Sequence, residues 1–153
     1  TVGQTTAVLQ DLWERRSEWG VNEQRSLAEA ADWFCRTKGI GPFFAQQIVL
    51  DLALPGGPLS NAVDIETFAL PGPGSKRGVA RLSKKNSTHT LEEVCIILAT
   101  EANIVEEVWP RSPKYPRWRA YDAEHALCEF DKYERVRLTG KGARPLLSAR
   151  VRP

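Results

Sequence analysis

The five residues Lys38-Gly39-Ile40-Gly41-Pro42 leave this chain fewer choices than any other stretch of it. A Gly-x-Gly turn reverses the backbone tightly, and proline suits the first turn of a helix, where the N–H it lacks would have no partner. Upstream, Leu27, Ala30, Ala31 and Phe34 fall on one helical face, and Ser26 with Glu29 has capping-box spacing. Downstream, Phe43 to Leu54 is apolar nearly all round, which predicts a helix buried at the centre of the domain, and Pro55-Gly56-Gly57-Pro58 ends it. The order is helix, tight turn, helix over about residues 23–54.

The remaining elements follow from the same periodicity. Leu9, Leu12 and Trp13 mark a first helix near residues 5–19, closing around Gly20. Residues 61–78 read as an ordered loop with a short helix at Ile65–Leu70, and a helix from about Ser75 to Lys84 follows. Thr90 and Glu93 form a second capping box ahead of a stripe of Leu91, Val94, Cys95, Leu98 and Ala102. The proline-rich run from Trp109 to Arg119 is no helix interior and reads as a surface excursion. A last helix, Tyr121 to about Arg135, is expected to bury Ala123, Ala126, Leu127 and Phe130. Nothing alternates well enough to make a sheet, so the fold class is all-α. With 153 residues and 42% hydrophobic content the chain can build one core, expected over residues 1–137 with a flexible basic tail at 138–153. Cys35, Cys95 and Cys128 form no CxxC pair and suit a reducing, intracellular setting, nuclear or cytoplasmic according to the host, better than disulfides or zinc. No apolar run approaches the roughly 18 residues that span a bilayer, so no membrane partner is expected. Because it opens with Thr rather than Met, the chain reads as a piece of a longer protein, truncated at its N-terminal side.

Net charge is only +2, yet the cations are clustered. Residues 1–34 carry six acids against three bases, whereas Lys76, Arg77, Arg81, Lys84 and Lys85 come without an acid between them, as do Arg111, Lys114, Arg117 and Arg119. The tail adds Arg135, Arg137, Lys141, Arg144, Arg150 and Arg152. Acid-free basic runs suit a phosphate backbone, because each neutralised phosphate releases counterions; the plain alternative is a set of solvated loops. In a helix-hairpin-helix the Gly-x-Gly turn lets the backbone approach a phosphate while the amides that open the second helix point at it. Lys38, Gly39 and Gly41 are the candidates for that contact, and Gln46 and Gln47 could touch phosphate or a base edge. DNA is the expected partner.

Residues 38–68 resemble the helix-hairpin-helix DNA glycosylases, in which a glycine-rich hairpin, a helix and a loop lead to a catalytic aspartate. Asp64 in Asp64-Ile65-Glu66-Thr67-Phe68 would be that residue, although it lies 23 residues beyond Gly41, farther than the pattern usually allows. The position at which lyase-type members keep a lysine is Phe43. A narrower resemblance rests on three blocks: KGIGPFFAQQIVLDL at Lys38–Leu52, PGPGSKRGVAR at Pro71–Arg81 and DAEHALCEFDKYER at Asp122–Arg135. In order and approximate spacing these are similar to the helical domain named for 5-hydroxymethyluracil DNA kinase and alpha-glutamyl/putrescinyl thymine pyrophosphorylase, over roughly residues 27–137. The resemblance implies a transferase acting on 5-hydroxymethyluracil in DNA, either phosphorylating the hydroxymethyl group or displacing its activated phosphate with an amine.

On that reading Gly74, Lys76 and Arg77, with Arg81, would hold a phosphate, since two cations stand beside glycines that let an oxyanion approach. The spacing is not that of a nucleotide phosphate loop, which needs Gly-x4-Gly-Lys-Ser/Thr. On the last helix Asp122, His125, Glu129 and Lys132 recur at intervals of three and four, and Arg135 follows, so one face can present an acid, a base and cations. A histidine there can take a proton from a hydroxyl or amine nucleophile, with Asp122 or Glu129 orienting it or holding Mg²⁺ beside a nucleotide phosphate donor. A solvated face with ordinary ion pairs is the competing reading. His89 reads as a loop or cap residue, and Trp109 and Trp118 could stack on an unstacked base. Three functions remain open: base modification, a glycosylase-like hydrolase using Asp64, and a noncatalytic DNA-binding module.

Overall fold

A computed structural model of the chain describes residues 2–19, 26–82, 88–108 and 117–140, and all regular structure among them is helical. Helix α1 (Val2–Glu14) runs into a 3-10 turn at Arg16–Glu18; α2 (Leu27–Cys35), α3 (Pro42–Leu52), α4 (Pro73–Leu82), α5 (Leu91–Val108) and α6 (Ala120–Thr139) follow. Both expected capping boxes form. Glu29 N–H donates to Ser26 Oγ at 3.0 Å while Ser26 N–H donates to the Glu29 carboxylate at 3.2 Å, and Thr90 and Glu93 exchange the same pair at 3.2 and 2.7 Å. Each pair occupies amide donors that a helix start otherwise leaves bare.

Two apolar clusters carry the fold. The first joins Leu27, Ala30, Trp33 and Phe34 of α2 to Ala45 and Val49 of α3, with Leu59, Ala62 and Phe68 from the connection after α3 and Val8 and Leu12 of α1 packed against it. The second joins Cys95 and Ala99 of α5 to Ala120, Ala123 and Leu127 of α6, and takes in Ala69. Successive residues Phe68 and Ala69 thus sit in different clusters, and the connection stitches the two halves together.

That connection has no helix at Ile65–Leu70, contrary to the expectation from sequence. The i to i−4 bond such a helix needs, Leu70 N–H to Glu66 C=O, is diverted at both ends. Leu70 N–H donates to Gln46 Oε1 at 2.8 Å, and Glu66 C=O accepts from Ala120 N–H at 3.1 Å.

Helix α1 is locked onto the α2–α3 turn by Arg15. Its guanidinium donates to Thr37 Oγ1 (2.9 Å), the Asp11 carboxylate (3.1 Å) and the Trp33 carbonyl (3.0 Å), and lies 4.8 Å from the Trp33 ring centroid. Thr37, fully buried, donates to Asp11 at 2.7 Å, and that bond, with Arg15, holds the Asp11 carboxyl below its ordinary range against the opposing pull of desolvation. Asn103 of α5 clamps the entry to α6 by bonding both the N–H and the C=O of Trp118 at 2.8 Å.

Several sequence expectations change on folding. Helix α3 is not buried all round: Ala45, Gln46 and Val49 are enclosed, but Phe43 and Phe44 are exposed, because α3 is packed from one side only. Ala126 is exposed and Phe130 only half-buried, since the inward face of α6 runs through Ala120, Ala123, Glu124, Leu127 and Asp131. Helix α6 also continues to Thr139, where Gly140 adopts a left-handed φ of 66°. Gly20, Lys84, Lys85, Trp109, Arg111, Lys114 and the basic residues from Lys141 onward lie outside the described residues.

Candidate functional site

The most informative polar groups in a folded core are those it buries. Gln46 on α3 is 2% exposed, and its amide is fixed in orientation because Oε1 accepts from Leu70 N–H. Its Nε2 therefore donates, to Glu124 Oε2 on α6 at 3.1 Å, and also lies 3.2 Å from His125 Nε2. Gln47 Nε2 reaches the same imidazole nitrogen at 3.2 Å. Glu124, 6% exposed, accepts from Gly72 N–H at 3.4 Å through its other oxygen, and its Oε2 stands 3.8 Å from His125 Nε2.

Three separate parts of the chain, α3, residues 70–72 and the first turns of α6, thus meet on four side chains. His125 is the member that reaches solvent, its side chain 42% exposed, while Nε2 faces the glutamines and the carboxylate. A half-exposed imidazole whose inward nitrogen meets a buried carboxylate and two amides is held in one orientation while the rest of the ring reaches solvent.

The structure brings His125, Gln46 and Gln47 together, but not the carboxylates expected to serve His125. Asp122 accepts from Arg119 N–H at 2.9 Å and closes the start of α6, and Glu129 is paired with Lys132 on the exposed side. Among the described residues no group of three or more His, Cys, Asp or Glu that could hold a metal ion occurs. Glu124 takes the place expected of Asp122 or Glu129. Its signal was present in the sequence as a carboxylate in register with Ala120, Ala123, Leu127 and Asp131.

Asp64 caps a helix that lies far upstream of it in the sequence. Its carboxylate accepts from Leu27 N–H at 2.6 Å and Ala28 N–H at 3.0 Å, so it caps α2 across 37 residues of sequence.

The glycine-rich block works differently from the oxyanion cradle expected of it. Gly74 and Gly78 are turned toward α6, where an added Cβ would meet Cys128 Sγ at Gly74 and fall on the Leu127 carbonyl at Gly78. They are one helical turn apart and let α4 lie directly on α6. Arg77 and Arg81 each donate through Nε, at 2.9 Å, to one oxygen of the fully buried Asp131. Those bonds, Arg81's first, hold the Asp131 carboxyl below the ordinary aspartate range against the desolvation that pushes it up. Two of the three cations expected to hold phosphate are therefore partly neutralised from within, while Lys76 is exposed. Arg135 is half-buried, with Nε lacking a hydrogen-bond partner among the described residues.

At the turn, Gly39 has a φ of 103°, a conformation that favours glycine, and its missing Cβ would come 3.2 Å from Val8 of α1. Gly41 caps α3 in an extended conformation with no side chain to satisfy the amides that follow, and nothing stands within 4 Å of where its Cβ would be. The open approach to the backbone is at Gly41, with Lys38 exposed nearby in the turn.

No curated protein and no solved structure matches the chain. A family model described as "5-hmdU DNA kinase, helical domain" matches residues 1–142, which takes in α1 as well as the blocks at 38–52, 71–81 and 122–135. With nearly its whole length matched, the chain belongs to the 5-hmdU DNA kinase helical domain family.

Proposed function

We propose that this domain holds DNA and presents 5-hydroxymethyluracil for modification at its hydroxymethyl group, with His125 managing the proton. Membership in a family described for a DNA kinase of this base supplies the substrate class. The observation that carries the chemistry is His125 held by Gln46 and Gln47 against buried Glu124. In phosphorylation, the hydroxymethyl oxygen forms a bond to the donor's terminal phosphorus as the bond to the leaving diphosphate breaks, and the hydroxyl proton passes to His125. In the alternative displacement, an amine attacks the methylene carbon, the activated phosphate leaves with its bonding electrons, and His125 takes the proton shed by the amine. Gln46 and Glu124 fix the ring in either case. The phosphate backbone lies on this reading against Lys38 and the amides that follow Gly41, with Lys76 as a further cation. A 5-substituent is hard to process inside a stacked duplex, so the base is worked on unstacked.

The glycosylase-like alternative is disfavoured by Asp64, whose carboxylate is used in capping α2. The noncatalytic binding module is separated by experiment. The full chain is incubated, with nucleoside triphosphate and Mg²⁺ or with an amine, on duplexes carrying thymine, 5-hydroxymethyluracil or its phosphorylated forms. A transferred group that is lost in His125→Ala supports the proposal, as does tighter binding to the 5-hydroxymethyluracil duplex than to the thymine one. An abasic product would assign the hydrolase, and salt-dependent binding indifferent to the base would assign the module.

A further inference from the structure

We infer that Phe43, together with Gln47 on the same face of α3 and the His125 that Gln47 reaches, seats an unstacked pyrimidine of the DNA strand. This rests on the DNA reading above and goes beyond it by naming the side chains that meet the base. Phe43 and Phe44 are 68% and 61% exposed, although they open a helix whose next residues, Ala45 and Gln46, are enclosed. Their rings meet edge to face with centroids 5.7 Å apart, an arrangement that steadies Phe43 while leaving ring surface bare. Two adjacent exposed phenylalanines cost solubility and join neither apolar cluster among the described residues, which makes them a contact surface.

What surrounds them says which kind of occupant fits. Residues 43 and 47 are one helical turn apart on α3 and share a face. Gln47 extends from that face to His125 Nε2 at 3.2 Å. A flat apolar surface thus shares a helix face with an amide that itself reaches an imidazole. A nucleobase needs that combination; an apolar peptide would leave the polar edge idle. With one Nε2 hydrogen turned to His125, the Gln47 carboxamide keeps its second hydrogen and Oε1, a donor and an acceptor that match the alternating carbonyl and imide N–H groups of a uracil ring. Gln46, by contrast, has both ends of its amide occupied, by Leu70 N–H and by Glu124. On the N-terminal side lie bare Gly41 and exposed Lys38, where the phosphate of the same nucleotide would run.

The experiment uses the full chain and three labelled duplexes: fully paired, with one bulged 5-hydroxymethyl-2'-deoxyuridine, and with an abasic residue in the bulge. The parent is expected to bind the base-containing bulge about 5- to 150-fold more tightly than the abasic one, the range that stacking one base supplies. Phe43→Ala should abolish that preference while keeping affinity for the abasic and paired duplexes within about twofold, because its backbone contacts are untouched. Phe43→Tyr should keep the preference, and Gln47→Ala should reduce it. Phe43 is exposed, so an unchanged melting temperature of the alanine variant is expected, and retention in the tyrosine variant separates lost stacking from lost structure. A parent that binds none of the three duplexes would overturn the DNA reading itself. A parent that binds them but shows no base preference, or a preference that Phe43→Ala leaves intact, would overturn this assignment alone.

Discussion

Asp131 and Glu124 are two carboxylates on the same inward face of α6, and their company sets them different tasks. Asp131 is met by two guanidinium groups and acts as the electrostatic fastener of α4 to α6. Its carboxyl is held below the ordinary aspartate value of 3.8 by Arg81 and Arg77, so the stability it contributes is complete above that pH and is lost as the pH falls further, through its folded value. Asp131→Asn should lower the melting temperature at neutral pH, and the gap between variant and parent should close as the pH drops below 3.8. Thermal melts across that range check it; a gap that widens in acid would contradict the pairing. Asp11 is held low in the same way, by Thr37 and Arg15, so the variant keeps a residual acid transition. Among the described residues Glu124 meets the amides of Gln46 and Gly72 and the His125 ring, an arrangement suited to orienting a side chain. Gln46→Leu would strand Leu70 N–H and leave Glu124 a donor short. The cost of such stranded groups is about 1–3 kcal/mol, readable by urea denaturation.

At the scale of elements, three glycines make opposite predictions according to what faces them. Gly78 is in contact with the Leu127 carbonyl of α6, so Gly78→Val should destabilise the fold by about 1–3 kcal/mol through forced separation of the two helices. Gly39→Ala should cost about 1–2 kcal/mol for its left-handed conformation, with the approach to Val8 of α1 added. Gly41→Ala meets nothing and holds an extended φ of −91°, so the melting temperature should barely move, while DNA affinity should fall because the added methyl stands over the approach to the α3 amides. Denaturation midpoints and binding isotherms on the same three variants separate structural from functional glycine. Equal loss of stability in all three would remove the distinction.

Across the whole molecule, two modest apolar clusters are joined by an irregular connection, and the Gln46–Glu124–His125 group lies where the parts they belong to meet. Such a seam is a natural place for a site, since its side chains are held by both halves and one of them still reaches solvent. The cations are distributed less simply than a count suggests, because Arg77, Arg81 and Arg15 serve internal carboxylates while Lys38 and Lys76 stand exposed. Lys38→Ala should weaken DNA binding nearly uniformly across sequences and reduce the salt dependence by about one counterion, whereas Arg81→Ala should act mainly on stability. Titrations at several salt concentrations read the first effect; an unchanged slope would take Lys38 out of the phosphate contact. No helix among the described residues is long and apolar enough to cross a membrane.

Capping boxes, the Gly39 turn, Pro42 at the start of α3 and the all-helical class were legible from the residues alone, because each depends on neighbours three or four positions away. The three blocks that resemble the family were legible for the same reason: they are contiguous. Folding decided the rest. It turned Glu124 rather than Asp122 toward His125, sent Asp64 to cap α2, left Phe43 and Phe44 bare, and withheld a helix from residues 65–70 by giving their backbone partners elsewhere. Each of those outcomes is a hydrogen bond or a packing contact between residues distant in sequence, and periodicity along one helix carries no record of which distant group will occupy a donor, an acceptor or a face.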